Sequence, residues 1–358
     1  MSNHKNILYI MTDQQRFATL GSVGESICKT PNLDRLAGRG VRFDRAYSVC
    51  ALCTPARTSM LSGLYPHNHM LLKNTEWSGP TVLDFKEGVR LISNELTGAG
   101  YNCGYAGKWH CGTQNLPSTF GFTGLDAPGY GSAYSTDQYK AYIEKHGYEP
   151  PKLRDRIGKG WTAGVLDGPA EACSPAFLAQ YTIDMMETFA RQGKDEGKPF
   201  MMVLSFWGPH APYFVPEPYA SMYRPDDIDM WPSYRDSLEG KPTIHRRFRE
   251  CSGACVETKD FSEDDWRRII ALYFGYCTFI DTQIGKVLDA LEELGLQDDT
   301  AVLFTTDHGD MTGTRGGLFD KGPMMYDDTY HIPMIGSVPW LERKGAVCNR
   351  PVLNMDLA

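Results

Sequence analysis

The sequence predicts an α/β fold in which a large, mostly parallel central sheet is flanked by helices on both faces. Two observations support this prediction. Short, continuous apolar runs recur along the chain, and such runs are typical of strands that are buried on both faces. Segments with helical periodicity lie between them, so strands and helices alternate as they do around a parallel sheet.

The elements can be assigned in chain order from these patterns. The runs that predict strands cover residues 7–11, 41–47, 102–106, 199–207, 301–306 and 332–338. The periodic segments that predict helices cover residues 31–36, 89–99, 177–192 and 264–294. We expect a single domain over residues 1–358.

Two stretches, residues 112–176 and 213–262, are rich in glycine, proline and aromatic residues and show little periodicity. We interpret them as long loop excursions over the sheet edge, where specificity often resides. Their aromatic side chains can stack on sugar or aryl rings, or they can simply pack the loops. These aromatic residues include Tyr130, Tyr134, Trp161, Tyr213 and Trp231.

Composition excludes several classes of protein. The chain has 358 residues, 42% of them hydrophobic, which is enough for a large core. Its net charge of −8 argues against a general binder of nucleic acid or of anionic membranes. No apolar run approaches the ~20 residues of a membrane-spanning helix, and the first residues lack a signal-peptide pattern. We therefore expect a cytoplasmic protein.

Ten cysteines are scattered along the chain rather than clustered, so reduced thiols are expected. Cys50 and Cys53 have the spacing of a redox pair, and Cys251 and Cys255 could form half of a zinc site. Neither pair has a matching second half at the usual spacing, which makes both interpretations weak.

The segment around Cys53 has the features of an anion site. Thr54 is predicted as an N-cap and Pro55 as the first helical residue, which puts Cys53 just ahead of a helix N-terminus. Free amides and the helix dipole favour an anion there, and Arg57 adds donors that match a tetrahedral oxyanion. The simpler alternative is a buried cysteine beside an arginine in a surface ion pair.

Polar residues follow three of the apolar runs and predict a metal site. Asp13 and Gln14 follow the first run, His210 lies just beyond another, and Asp307 and His308 follow a third. Ligands bind beyond the carboxyl ends of the strands in open parallel sheets. Two carboxylates, an amide and an imidazole suit a divalent cation such as Ca²⁺ or Mg²⁺. Asp13 alone would be explained by a strand-end turn or a helix cap.

Cationic and imidazole side chains complete the predicted site. Lys108 and His110 follow a predicted strand and, two residues apart, lie on the same side of an extended chain. Lys321 lies in a glycine-rich loop, and prolines hold the loop of His210. Singly, each residue is explained as a surface charge or as a satisfied loop histidine. Together with Arg57 they suit the transfer of a doubly charged group.

The chain resembles a type I sulfatase of the alkaline phosphatase superfamily over essentially its whole length. Seven short motifs occur in the order of that family: residues 6–14, 30–34, 53–63, 107–110, 209–212, 306–309 and 321–322. The resemblance implies that Cys53 is converted to formylglycine. It also implies a smaller C-terminal sheet subdomain that is missing from this chain.

The resemblance further implies one divalent cation, with calcium as the first choice and Mg²⁺ or Mn²⁺ as alternatives. Its ligands would be Asp13, Gln14, Asp307, His308 and the modified residue at Cys53. Many relatives carry a second aspartate in place of Gln14 and an asparagine in place of His308. The metal site of this chain therefore carries one carboxylate fewer, which leaves the identity of the metal open.

By the same resemblance, the protein would hydrolyse a sulfate monoester to an alcohol and inorganic sulfate. Arg57 and Lys108 would hold the formylglycine hydrate and the sulfate oxygens, and His110 would be the base. His210 and Lys321 would bind sulfate and assist the leaving alkoxide. The implied partners are a sulfated small molecule or sulfated carbohydrate and, transiently, a formylglycine-generating enzyme.

Two alternatives remain open. A phosphonate or phosphate ester hydrolase of the same superfamily would use the same formylglycine, and Asn74 and Thr75 resemble that group. Lys108 and His110, in their Gly-Lys-x-His arrangement, favour a sulfatase instead. The second alternative is a catalytically silent, sulfatase-like binding protein in which Cys53 stays a thiol.

Overall fold

Strands and helices alternate along the chain in a computed structural model that describes residues 5–76, 82–158, 162–250 and 258–358. The strands in these ranges are β1 (Asn6–Thr12), β2 (Val41–Phe43), β3 (Ala46–Tyr47), β4 (Asn102–Gly107), β5 (Thr123–Gly124), β6 (Lys152–Ile157), β7 (Ala163–Asp167), β8 (Phe200–Ser205), β9 (Tyr213–Pro216), β10 (Thr300–Thr306), β11 (Met334–Ser337), β12 (Ala346–Cys348) and β13 (Val352–Leu353). Trp161, Cys251 and Cys255 lie outside the described residues.

The helices cover the periodic segments, with some shorter ones between them. They are α1 (Pro31–Arg39), α2 (Cys53–Ser62), α3 (Pro66–His69), α4 (Ile92–Gly98), α5 (Asp137–His146), α6 (Ser174–Glu196), α7 (Thr243–Glu250), α8 (Glu263–Glu293), α9 (Thr314–Gly317) and α10 (Asp327–Tyr330). None of the helices in the described ranges is long and apolar enough to cross a bilayer. The described cysteines are free thiols, as their scattered positions predict.

Eight of the described strands form one sheet in the order β12-β2-β11-β10-β1-β8-β4-β5. β1 lies at its centre and pairs in parallel with both β10 and β8. β4 is parallel to β8 and β5, and β12 is parallel to β2. Only β11 runs antiparallel to its neighbours within this sheet. The prediction of a mostly parallel central sheet is confirmed.

Both faces of this sheet are buried, because alternate residues of β1 point into different clusters. Leu8 and Ile10 pack in one cluster with side chains of α6 and α8. Tyr9 and Met11 pack in another with side chains of α2. All four are at most 1% exposed. Successive side chains of a strand alternate between faces, so a continuous apolar run here means helices on both sides.

The predicted start of α2 is wrong by two residues. The helix begins at Cys53, with Leu52 rather than Thr54 at the N-cap position. The hydroxyl of Thr54 is buried without a hydrogen-bond partner in the described chain. Its backbone N–H instead donates to Oδ1 of Asn74 at 3.1 Å. The cap of this helix therefore comes from a side chain that is distant in the sequence.

Other boundaries also differ from the predictions. The strand predicted at residues 41–47 divides into β2 and β3, which belong to different sheets, with a turn near Asp44. The helix predicted at residues 89–99 begins only at Ile92. The excursions at residues 112–176 and 213–262 carry α5, α7 and a second sheet of β6, β7 and β9. β6 is almost entirely exposed and rich in charged residues, so it lacks the apolar pattern of a buried strand.

His69 joins α3 to α2 as a neutral imidazole. Its Nδ1 accepts a hydrogen bond from the backbone N–H of Leu71 at 3.2 Å, and its Nε2 lies 3.1 Å from the hydroxyl of Ser59. Burial lowers the pKa of His69 from 6.5 to about 4. Between these pH values the unfolded chain binds a proton that the folded chain does not, so the free energy of unfolding falls as pH is lowered.

We expect acidification from pH 6.5 to pH 4 to remove up to about 2 kcal/mol of stability through His69, after allowance for solvent screening. Urea unfolding at several pH values measures this loss. The His69→Gln variant keeps one donor and one acceptor but does not titrate, so its unfolding midpoint should depend less on pH. Identical pH dependence in the two proteins would contradict the assignment.

Candidate active site

The carboxyl ends of four neighbouring parallel strands, β10, β1, β8 and β4, lie side by side at one edge of the central sheet. Thr12 at the end of β1 is in register with Thr306 at the end of β10, and Gly107 at the end of β4 with Ser205 of β8. The residues that follow these ends are Asp13 and Gln14, Asp307 and His308, Lys108, and, farther along the loop after β8, His210.

A compact group of potential metal ligands lies at the centre of this edge. It consists of Asp13, Cys53, Asp307 and His308, whose ligand atoms all lie within 4.8 Å of one another. All four side chains are fully buried. Two carboxylates, an imidazole and a sulfur this close together fit a divalent cation, because they are ligand types that such ions bind in proteins.

His308 is oriented toward this group by the backbone. Its Nδ1 donates to the carbonyl of Gly309 at 2.9 Å, which leaves Nε2 facing Sγ of Cys53 at 3.2 Å. A backbone carbonyl on one ring nitrogen is the usual way in which a metal-binding imidazole is oriented. Burial alone would lower the pKa of His308, but Asp307 and Cys53 raise it to about 9.

Arg57 is wholly buried and connects three strand ends, so the surface ion pair considered from the sequence is excluded. Its Nε donates to Asp307 at 2.8 Å, and its Nη1 donates to the carbonyl of Lys108 at 3.0 Å and to the hydroxyl of Ser205 at 2.8 Å. Nη2 lies 3.5 Å from Asp13 and has no hydrogen-bond partner among the described residues. This nitrogen remains available to a ligand oxygen.

Lys108 and His110 lie on the same side of the site, as the sequence predicts. The ammonium of Lys108 contacts Asp13 and lies 3.9 Å from the ring centre of Tyr130, and the ring of His110 meets the same tyrosine edge-on at 5.3 Å. The intervening chain is not extended as expected, because His110 has a φ of 53°. A left-handed backbone conformation is strained at a residue other than glycine, and such residues are found more often at functional sites.

The side chain of Gln14 is held in one orientation by two charged neighbours. Its Oε1 accepts from the ammonium of Lys321 at 2.7 Å, and its Nε2 donates to Asp310 at 2.5 Å. Lysine only donates and an ionised carboxylate only accepts, so the two ends of the amide cannot exchange. Tyr213 also donates to Asp310, at 2.6 Å.

Lys321 joins Gln14 to the loop of His210. Its ammonium lies 2.6 Å from Nε2 of His210 and 3.1 Å from Asp320. Nδ1 of His210 donates to the carbonyl of Ala211 at 2.6 Å, so Nε2 is the acceptor for Lys321. Burial alone would lower the pKa of Lys321, but Asp320 and Cys53 raise it, which keeps the ammonium charged.

The cationic side chains converge on Cys53 at the first turn of α2. Burial alone would raise the pKa of its thiol, but Lys108 and Lys321 lower it well below the ordinary value, with His308 and His110 contributing in the same direction. A fully buried thiol in this field is stabilised as an anion. The same field would stabilise any other anion that forms at this position.

A cavity of about 340 Å³ opens above these residues. Its lining includes Asn74, His110, Tyr130, His210, Phe248 and Lys321. Ligand cavities of this kind combine apolar walls with a few converging polar groups. The buried ion cluster thus lies next to a space that a small molecule can enter.

The sulfatase family model matches residues 5–358. The chain belongs to the sulfatase family. The uncharacterized sulfatase YidJ of Escherichia coli K12 is 31% identical over 355 residues, which cover 98% of this chain and 66% of YidJ. The ulvan-active sulfatase of Formosa agariphila is 28% identical over 367 residues, which cover 98% of this chain and 60% of that protein. The chain thus spans less than two thirds of the length of either relative.

Among solved structures, the phosphonate monoester hydrolase of Agrobacterium radiobacter superposes with a TM-score of 0.79 at 25% identity. The match covers 99% of this chain and 72% of the hydrolase chain. The superposition agrees with the large sheet and flanking helices described above.

The structure brings together all the residues that the sequence analysis selected for the site. Several contacting residues were not predicted as part of it: Glu76, Ser205, Asp310 and Asp320. Asp310 belongs to the same polar run as Asp307, and Ser205 is the last residue of β8, so strand-end position could have identified both. Glu76 carries no such signal, because it neither ends a strand nor belongs to one of the seven motifs, although Asn74 and Thr75 directly precede it.

Proposed function

We propose that this protein hydrolyses a sulfate monoester to an alcohol and inorganic sulfate, with a metal-bound formylglycine made from Cys53 as the nucleophile. The convergence of two lysines, an arginine and a metal-type ligand group on buried Cys53, beneath an open cavity, is the observation that carries this proposal. Preorganised positive charge in a water-poor site stabilises the charge that develops during transfer of an anionic group.

The residues present fit both cofactors. Asp13, Asp307, His308 and the side-chain oxygen of Gln14 would hold a divalent cation together with residue 53; Ca²⁺ is our first choice, with Mg²⁺ or Mn²⁺ as alternatives. When bound, the cation supplies Lewis-acid polarisation, and the formylglycine supplies a hydrated carbonyl as the nucleophile. A formylglycine-generating enzyme would be a transient partner, since the thiol must first be oxidised.

The protein's own residues would bind the anion and move the protons. Lys108 and the free Nη2 of Arg57 would bind sulfuryl oxygens, because each presents N–H donors to the region around residue 53. Lys321 donates to Nε2 of His210 at the cavity wall. With substrate bound, the ammonium of Lys321 would donate its proton to the oxygen of the leaving alcohol instead of to Nε2 of His210. His110, with an unpartnered ring nitrogen, would accept a proton as the general base.

A phosphonate or phosphate ester hydrolase is the second candidate. The similarity to the phosphonate monoester hydrolase of Agrobacterium radiobacter favours it, and so does Asn74, which both caps α2 and lines the cavity. Lys108 and His110 support the sulfatase reaction, because they add one permanent cation and one imidazole beside the nucleophile. Substrates that differ only in the transferred group distinguish the two reactions.

The test begins with the mass of the peptide that contains Cys53, in protein co-produced with a formylglycine-generating enzyme. Conversion of CH₂SH to CHO lowers the mass by ~18 Da. Rates of the converted protein are then compared on a sulfate and a phosphonate ester of the same phenol. We expect the sulfate ester to react faster. A preference for the phosphonate ester, or activity in protein that carries only the thiol, would contradict the proposal.

The identity of the alcohol requires a substrate panel. One relative is named an ulvan-active sulfatase and another an arylsulfatase, so carbohydrate and aryl esters are both included. Tyr130 and Phe248 in the cavity wall can stack on either type of ring. Sulfated sugars and aryl sulfates are therefore compared at equal concentrations.

The Asp310→Asn variant tests whether Gln14 is a metal ligand. A neutral amide at position 310 no longer requires Nε2 of Gln14 to face it, so Oε1 of Gln14 is no longer kept on the side away from position 310. We expect the affinity for Ca²⁺ to fall by about 10- to 100-fold, which is the usual effect of changing a residue that hydrogen-bonds to a metal ligand. Titration calorimetry measures the affinity.

Tyr213→Phe is the control, because it removes a different donor to the same carboxylate. Equal affinities in the wild type and Asp310→Asn would contradict the assignment.

A further inference from the structure

We propose that Glu76 is a positioning residue that holds His110 in the tautomer with the proton on Nε2, so that the unprotonated Nδ1 faces residue 53. The proposal rests on the proposed function, in which His110 is the base. Glu76 lies at the mouth of the cavity, in a loop without a recognisable motif.

The hydrogen bond between Glu76 and His110 determines which ring nitrogen carries the proton. Oε2 of Glu76 lies 2.8 Å from Nε2 of His110. A carboxylate only accepts, so Nε2 must donate, and in a neutral imidazole Nδ1 is then unprotonated. Nδ1 is buried and has no hydrogen-bond partner in the described part of the chain. The imidazole lies next to Cys53, so the ring borders the position at which the nucleophile would form.

Glu76 is itself fixed through its other oxygen. Oε1 accepts from the backbone N–H of Tyr130 at 2.8 Å and from the hydroxyl of Thr75 at 3.0 Å. Burial alone would raise the pKa of Glu76, but its hydrogen bond and charge interaction with His110 lower it to about 2. Each carboxylate oxygen thus has a separate task, one anchoring the loop and one orienting the imidazole.

The backbone around His110 is held by the same loop. Its N–H donates to the carbonyl of Gly129 at 3.0 Å, directly before Tyr130, whose N–H donates to Glu76. These hydrogen bonds hold the backbone of His110 at its strained φ of 53°. A carboxylate, an imidazole and a nucleophile in sequence form the arrangement in which the carboxylate selects the tautomer and stabilises the imidazolium.

The Glu76→Gln variant reverses the hydrogen bonding without changing the shape of the side chain. The two donors at Oε1, from Tyr130 and Thr75, would select the carbonyl oxygen of glutamine at that position. Its NH₂ group would then face Nε2 of His110, which must accept, so the ring proton moves to Nδ1. Nδ1 would then carry a proton and could not accept another as the base. The cavity and the charged side chains of Lys108 and Arg57 would stay in place.

Two measurements test the proposal. In the converted enzyme, we expect Glu76→Gln to lower kcat by about 10²- to 10⁴-fold with a change in KM of less than about threefold, and Glu76→Asp to recover part of the loss. In the unconverted protein, two-bond ¹H–¹⁵N spectra report the tautomer of His110 without any turnover. We expect the Nε2–H tautomer in the wild type and the Nδ1–H tautomer in Glu76→Gln. The resonance is assigned by its loss in His110→Gln.

Glu217→Gln is the matched control, because Glu217 is equally exposed (43% against 44%) and also accepts a hydrogen bond from a basic side chain, in its case Arg154. The Glu217→Gln variant should leave both kcat and the tautomer of His110 unchanged. An Nδ1–H tautomer in the wild type, an unchanged tautomer in Glu76→Gln, or an unchanged kcat in Glu76→Gln beside a strongly reduced one in His110→Gln would overturn the proposal. If the converted wild type has no sulfatase activity, the proposed function fails, and the spectra alone decide the role of Glu76.

Discussion

Replacing Cys53 with alanine is expected to lower kcat/KM on a sulfate ester by at least about 10³-fold, because the variant has no group from which the nucleophile can be made. The change removes a single sulfur atom from a buried position, so the fold should be retained. Initial rates with the preferred ester of the substrate panel measure the loss, and far-ultraviolet circular dichroism checks the fold.

Two further variants separate the possible roles of the sulfur. Cys53→Ser keeps a hydroxyl but cannot become an aldehyde through the cysteine pathway, so it should be as impaired as Cys53→Ala. Cys50→Ala removes the other cysteine of the Cys-x-x-Cys spacing and should keep the wild-type rate. A rate in Cys50→Ala as low as that in Cys53→Ala would instead favour a redox pair, and a wild-type rate in Cys53→Ala would remove Cys53 from the mechanism.

Replacing Asp13 with asparagine is expected to weaken both metal binding and the fold. Asp13 is fully buried, its Oδ2 contacts Lys108 and faces Arg57, and its Oδ1 faces Cys53 and His308. Its pKa is about 2, because the nearby cations outweigh the effects of burial and of Cys53. Loss of the carboxylate leaves a buried lysine without its counter-ion, at a cost of about 3–5 kcal/mol.

Metal analysis and urea unfolding measure the two effects of Asp13→Asn separately. We expect the affinity for Ca²⁺ to fall by at least about 100-fold, since one of only two carboxylates in the ligand group is lost. Asp137→Asn serves as the control, because it breaks the exposed ion pair with Lys140 and should leave both measurements unchanged. Wild-type metal affinity in Asp13→Asn would exclude Asp13 as a ligand.

The part of the site that lies on strand ends could be predicted from the sequence for a physical reason. A buried parallel strand is a continuous apolar run, so the first polar residue after it marks the end of the strand and the edge of the sheet. Asp13, Lys108 and Asp307 occur at such positions. The backbone ladder then brings residues that are far apart in the sequence to within hydrogen-bonding distance of one another.

The contacts that were not predicted are made by side chains that belong to no hydrophobic period and follow no strand end. Asn74 caps α2 through Thr54 over a separation of 20 residues, and nothing near Thr54 indicates this. Glu76 contacts His110 and Tyr130, each more than 30 residues away. An acidic residue in a polar loop looks like a solvated charge until the fold supplies its partners. The exposed strand β6 was missed for the same reason, since charged residues conceal its regular backbone.

The guanidinium of Arg57 joins the ends of β10, β4 and β8 as well as facing residue 53. Substitution of this residue should therefore reduce the amount of protein that survives quality control in the cell, in addition to any catalytic loss. Selection for abundance alone would retain Arg57 in a descendant that no longer catalysed a reaction. His110, whose Nδ1 has no protein partner in the described chain, is under no comparable structural constraint. Among relatives, the loss of His110 should be the earlier sign that an active enzyme has become a binding protein.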